Sequence, residues 1–335
     1  MSGFRHLSLI CHILTICLSN ITYITFLLNS KYAKKSYRKI SPILRKEICI
    51  KKIYILPNNK FYQRALPKIN VNGIQMYYEV MGSGESVIWV SGLGDDYLSW
   101  LPFAKDLSKR FRCIVFDNRG VGQSDKPDTW YSIKMMADDT AALLEELDLD
   151  RVHVVGHSMG GAIAQELAIG HPKRLKTITL LATWPKTDAL MQDIVEGWKL
   201  IIKSKELESN RAQFMRHILR WCLTYRYYEK EGAMEETLKL IAENPHPQPT
   251  FAFLRQVDAC IQHNTLSRIH QIKIPAHIIV GDEDILTPPR YSKILAKRIK
   301  NSKLTIIKEC GHGYALEKPK ELEQAIFQFL GSHQA

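Results

Sequence analysis

Val152-His153-Val154-Val155-Gly156-His157-Ser158-Met159-Gly160-Gly161 is the stretch on which the reading of the fold turns. Val152–Val155 has the apolar, β-branched character of a buried strand, and the small-residue run Met159–Ile169 reads as a helix. Between them lies Gly-x-Ser-x-Gly in a strand–turn–helix setting. A turn this tight strains its serine, and a Cβ at Gly156 or Gly160 would collide with neighbouring backbone. It lifts the hydroxyl to the C-terminal edge of a sheet and aims a helix N-terminus at whatever negative charge develops there. Ser158 is the candidate nucleophile.

Outward from this turn, short apolar runs alternate with amphipathic segments. Val87–Val90, Cys113–Phe116, Thr177–Leu181, His277–Val280 and Leu304–Ile307 read as further strands. Helices are expected around Met136–Leu147 and over Tyr291–Ile299 and Leu322–Leu330. Strands separated by helices predict an α/β chain with a mostly parallel central sheet, covered on both faces. Residues 187–266 break the alternation: the patterning is helical and rich in aromatics, from Trp198 to Phe253. Such an insertion between two strands predicts a helical cap over the sheet edge.

A serine hydroxyl needs a base, and the base needs an orienting acid. In chains built on such an elbow the order is serine, acid, histidine. His153 and His277 fall within strands, and only His312 and His333 follow the candidate acid; His333 lies beyond the last helix. His312, in Cys310-Gly311-His312-Gly313 just after a strand, is the candidate base. For the acid, Asp282, Glu283 and Asp284 compete in the loop after His277–Val280, and Asp284 is favoured, with Asp282 read as a loop-capping residue. Acyl chemistry also needs donors for an oxyanion. The N–H of Met159 is one, and the loop Ser91-Gly92-Leu93-Gly94 offers the N–H of Leu93 as the second. Asp95 and Asp96, next along the chain, read as helix-capping residues.

The net charge of +12 suggests a nucleic-acid or membrane binder until it is located. Residues 1–68 hold 13 Lys and Arg against one acid, Glu47, whereas residues 69–335 hold 33 of each sign. No basic stripe belongs to the body, so no nucleic-acid partner is expected. Residues 7–28 carry no charge over 22 positions, roughly the length of a membrane-spanning helix, with lysines and Arg38 behind them. Two readings stand: a membrane anchor with the body on the cytoplasmic side, or a spurious or disordered leader. Seven cysteines with no C-x-x-C give neither a disulfide framework nor a zinc site, and no metal or cofactor is called for. A reducing, cytoplasmic setting fits best.

Taken together, these residues resemble the α/β-hydrolase fold superfamily over roughly residues 69–333. Asp117-Asn118-Arg119-Gly120-Val121-Gly122-Gln123-Ser124 looks like that family's D-x-R-G-x-G-x-S structural loop. The nearest flavour is the bacterial group of 3-oxoadipate enol-lactonases, carboxylesterases and cofactor-free haloperoxidases. The resemblance implies a serine hydrolase of a small ester or lactone. Cleavage of a C–C bond, haloperoxidase-like activity, or a small-molecule receptor with vestigial hydrolysis are the alternatives. Two positions depart from the pattern. Ser91 stands where the family usually has histidine before Gly92, and His157 stands where C–C hydrolases typically show asparagine. Ser158 argues against haloalkane dehalogenases and epoxide hydrolases, whose nucleophile is aspartate.

Overall fold

The computed structural model describes residues 68–204 and 211–334. The uncharged stretch at residues 7–28 lies outside them; among the described residues no helix is long and apolar enough to cross a membrane. Eight strands form one sheet: β1 (Lys68–Val71), β2 (Ile74–Met81), β3 (Ser86–Val90), β4 (Arg112–Phe116), β5 (Val152–His157), β6 (Leu175–Leu181), β7 (Ala276–Gly281) and β8 (Ser302–Ile307). Their order is β1-β2-β4-β3-β5-β6-β7-β8. The pairs β1–β2 and β2–β4 are antiparallel and the rest are parallel.

The apolar runs are strands because both faces of the sheet are covered. Ile88, Val90, Val154, Ile178 and Ile278 point into one core, with helices α2 (Ile133–Glu146) and α3 (Met159–Gly170) over them. Val87, Trp89, Val155, Leu181 and Ile279 point into the other, against α1 (Leu101–Leu107) and the C-terminal helix Pro319–Gly331. Successive residues thus serve opposite cores, and each buried aliphatic side chain is worth roughly 1.5–3 kcal/mol. Trp89 stacks on Trp100 at 5.0 Å between ring centroids within the second core.

The hairpin β1–β2 was not anticipated, and Lys68, assigned to the leader, is its first residue. Its signal is in the sequence: Asn72-Gly73 between apolar residues is the strongest short-range hairpin cue. Both turn residues adopt positive φ, 47° and 78°.

Between β6 and β7 the expected cap is present as helices. Among the described residues these are α4 (Ala189–Ile202), α5 (Arg211–Cys222), α6 (Tyr225–Glu229), α7 (Ala233–Ala242) and α8 (Thr250–Gln262). Trp198, Phe214, Phe253 and Val257 make a core of their own, into which Leu286 of the β7 loop also packs.

The strand order places the site. The chain leaves β3 for β4 on one side and returns to β5 on the other, so β3 and β5 flank a reversal of strand order. Val90 pairs with Gly156 there, setting the loop after β3 beside the elbow after β5.

Candidate active site

Ser158 stands between β5 and α3 with φ 55° and ψ −118°, a conformation that L-residues adopt at a cost of about 1–3 kcal/mol. Its surroundings hold it there. Ser158 N donates to Leu181 O at 2.9 Å, and its carbonyl accepts from Gly161 N at 2.9 Å and Ala162 N at 3.1 Å. Thr183 Oγ1 donates to the same carbonyl at 2.9 Å. The elbow glycines are needed for close approach: a Cβ on Gly156 would fall on Gly160 O, and one on Gly160 would fall on Val90 O.

The three competing carboxylates go to three different partners. Asp282 pairs with Lys308 at 3.3 Å. Glu283 takes both its bonds from Arg226 Nη1, at 2.6 and 2.8 Å. Asp284 alone turns inward, with Oδ2 2.9 Å from His312 Nδ1. Its Oδ1 accepts from Leu286 N at 3.0 Å and Thr287 N at 2.7 Å. Burial pushes the Asp284 carboxyl up, but the charge of His312 and the hydrogen bonds from His312 and Thr287 outweigh it and hold the group below the usual carboxylate range.

Thr287, to which sequence reasoning gave no role, completes this pair. Its hydroxyl donates to Asp284 Oδ2 at 2.8 Å and lies 3.1 Å from His312 Nδ1. Because the carboxylate only accepts, Nδ1 carries the proton and Nε2 keeps its lone pair, an assignment that follows from the partners. His312 is 4 % exposed.

Backbone bonds zip the acid and histidine loops together: Asp282 N to Ile307 O and Glu283 N to Cys310 O, both 3.0 Å. The cap reaches the histidine loop as well. Cys222 O, at the end of α5, accepts from His312 N at 2.7 Å and Gly313 N at 2.8 Å. Glu317 joins the same two segments, taking Thr224 N at 2.8 Å and Thr224 Oγ1 at 2.5 Å on one oxygen and Gly311 N at 2.7 Å on the other. Sequence reasoning missed Glu317, whose partner lies 93 residues away.

The elbow meets His312 through its neighbour. His157 Nε2 is 3.2 Å from the His312 carbonyl, and the two rings lie 4.8 Å apart. Burial, then the charge of His312, pushes His157 down to about 3, so it is a neutral ring that donates to that carbonyl. No hydrogen bond joins Ser158 Oγ to His312 among the described contacts; such bonds are often long in unliganded sites and tighten around substrate. Neither Leu93 N nor Met159 N donates to a protein acceptor among the described contacts, which leaves two N–H groups unused at the ends of β3 and β5.

The loop Asp117–Ser124 is a structural brace. Asp117 accepts from Tyr97 N and Gln123 N at 2.8 and 2.7 Å, and burial pushes its carboxyl up to about 7. Arg119 forms a buried two-point pair with Asp139 at 2.8 and 2.9 Å. Ser91 is fully buried, and Asn118 Nδ2 donates to its carbonyl at 3.1 Å. Of the two carboxylates read as caps, only Asp96 is one, accepting Leu98 N at 3.0 Å. Asp95 caps nothing.

The esterase of Thermogutta terrifontis, solved with malate bound, is 25 % identical, covering 81 % of this chain and 98 % of its own, with a TM-score of 0.68. Est816, described as an N-acyl homoserine lactone degrading enzyme, is 26 % identical over 78 % of this chain and 100 % of its own, TM-score 0.67. MGS-M2, an α/β-hydrolase enzyme from a Medee basin deep-sea metagenome library, is 25 % identical over 79 % of this chain and 97 % of its own, TM-score 0.72. The family model for the alpha/beta hydrolase fold matches residues 85–319, and the chain belongs to that family.

Proposed function

We propose that this protein is a serine hydrolase that cleaves a carboxylic ester or lactone through an acyl-enzyme. Ser158 attacks the carbonyl while His312 Nε2 takes the hydroxyl proton. Asp284 holds the ring and balances the imidazolium, and Thr287 fixes the carboxylate. The N–H groups of Leu93 and Met159 receive the tetrahedral oxyanion. The alcohol leaves with the proton from His312; water, activated by the same nitrogen, then releases the acid.

The observation that carries this reading is the buried Asp284–His312 pair at 2.9 Å, beside a strained serine and two unused N–H groups. The esterase and the lactone-degrading enzyme among the similar structures favour the same bond types. The test is steady-state hydrolysis of p-nitrophenyl esters from C2 to C12 by the purified protein and by Ser158→Ala. The substitution is expected to cut kcat by on the order of 10⁶. Turnover that survives it removes Ser158 from the mechanism.

A further inference from the structure

Asp95 is a carboxylate with no hydrogen-bond partner among the described residues, and it lies beside the nucleophile. A methyl group built on Gly92 would sit 3.2 Å from Asp95 Oδ2, 3.4 Å from His157 Nδ1 and 3.5 Å from Ser158 Cβ. Carboxylate, elbow and nucleophile therefore crowd one point on the loop that also carries Leu93 N. The residue keeps some exposed surface while its carboxyl is enclosed, and, unlike Asp96, it caps no helix end among the described residues. The fold gains nothing visible from a charge at this position.

Because both Asp95 Oδ2 and Ser158 Cβ converge on that one point, a substrate carbonyl attacked by Ser158 would stand near the Asp95 carboxylate. A charge beside a group shielded from solvent acts on it more strongly than in water, because fewer solvent dipoles intervene. A second negative charge brought beside Asp95 meets direct repulsion, and a neutral or cationic group does not.

We propose that Asp95 is a specificity residue that excludes carboxylate-bearing esters and lactones, so that the substrate of this site is uncharged or cationic near its carbonyl. The inference rests on the serine-hydrolase reading above and narrows its substrate class.

The filter has a pH dependence whose sign is fixed. Burial raises the Asp95 carboxyl, Asp96 adds to the rise and His312 opposes it, leaving it at about 6. The titratable groups facing it are Asp96 on its own loop, His157 at the end of β5, His312 after β8 and Cys222 at the end of α5. His157 stays neutral, and burial pushes the Cys222 thiol far up, so it stays neutral as well. Above pH 6 Asp95 is ionised and excludes anions; below it the carboxyl is neutral and the exclusion relaxes.

The test measures inactivation rates of the full-length protein with three 4-nitrophenyl alkylphosphonates. One is uncharged, one carries a carboxylate on the alkyl chain, and one carries it on the alkoxy group. These probes report attack by Ser158 without requiring turnover, and the uncharged one is the internal reference. Any change in His312 or in the oxyanion donors affects all three and cancels in the ratio of anionic to neutral rates. Asp95→Asn is expected to raise that ratio on the order of 10-fold at pH 7.5 for at least one anionic probe. In the wild type the ratio rises toward the variant's as pH falls from 7.5 to 5, where a model carboxylate on the probe is still largely ionised; in the variant it stays flat. Ratios within 2-fold of wild type for both anionic probes, or a flat wild-type profile, overturn the proposal while leaving the hydrolase reading intact. Failure of the neutral probe to react with Ser158 overturns both.

Discussion

At the elbow edge of the sheet, main-chain bonds and glycines do most of the fixing; at the cap, apart from the Cys222 carbonyl, side chains do. Ser158 is held by bonds to main-chain groups of β6 and α3 and by glycines into which no Cβ fits. Besides the Cys222 carbonyl, the cap touches the same site through side chains: Thr224 against Glu317, and a pair of glutamines. Gln256 Oε1 accepts from Gly94 N at 3.1 Å and from Gln248 Nε2 at 3.0 Å, while its own Nε2 donates to Arg119 O at 2.8 Å. Backbone constraints admit few residue types and leave a pattern in the sequence. Side-chain latches between distant segments admit many and leave none. Function can therefore drift unevenly: the elbow edge is rigidly specified, and the cap contacts around it can be rebuilt one at a time.

Four substitutions, with two controls in the acid loop, probe that contrast, and the four rank by how close each group stands to Ser158 and His312. Asp284→Asn replaces an acceptor facing His312 Nδ1 with an amide that can donate, favouring the wrong tautomer; kcat is expected to fall about 10⁴-fold. Asp282→Asn and Glu283→Gln, whose partners are Lys308 and Arg226, should stay within about 3-fold. A large loss from either would break the assignment of the acid. Glu317→Gln sets an amide against N–H groups of both Thr224 and the histidine loop. A drop in kcat of roughly 30-fold, through misplacement of His312, is the expected kinetic result. If only KM moves, the clamp serves the cap and not the histidine.

Thr287→Val removes one donor from Asp284 and should cost kcat about 10-fold, with a stability loss of about 1–2 kcal/mol at pH 7. The sign with pH follows from Asp284. A carboxyl depressed in the fold adds stability above its unfolded value near 4, and that stability is lost as pH falls through the folded value. Urea titrations should therefore show a gap between wild type and Thr287→Val at pH 7 that closes toward pH 3; a constant gap would mean that the hydroxyl acts by packing alone. Of the four, the smallest kinetic effect belongs to Gln256→Leu. It deprives Gly94 N–H and Arg119 C=O of their partner, and a KM change of about 3-fold is expected with kcat held. Thermal unfolding should register about 2 kcal/mol, a fall in Tm of roughly 4–8 °C.

How much of this was legible follows the same division. Val152–Gly161, the acid loop and Gly311–Gly313 could be read because a strained turn, a chain order and loop positions after strands limit what can stand there. Among Asp282, Glu283 and Asp284 the sequence favours one, and the structure supplies the physical sorting: the other two have cations outside to pair with. Thr287 follows three residues after Asp284 in the same loop, and a hydroxyl between an acid and a histidine has no local signature. Glu317 and Gln256 act on partners 93 and 162 residues away. The hairpin at Asn72-Gly73 has a clear turn signal, but its strands carry polar residues such as Asn70, Gln75 and Glu79 and lack the continuous apolar runs that mark the buried strands. Asp95 and Asp96 look alike in sequence; one residue of displacement decides which reaches Leu98 N and which is left at the nucleophile.

The central claim is that Ser158 is acylated during turnover. The most direct measurement is acid quenching of the protein within milliseconds of mixing with a p-nitrophenyl ester, followed by intact mass and peptide mapping. The expected result is one acyl mass increment, confined to the peptide containing Ser158 and absent from Ser158→Ala. Turnover with no increment, or with the increment on another residue, would contradict the account.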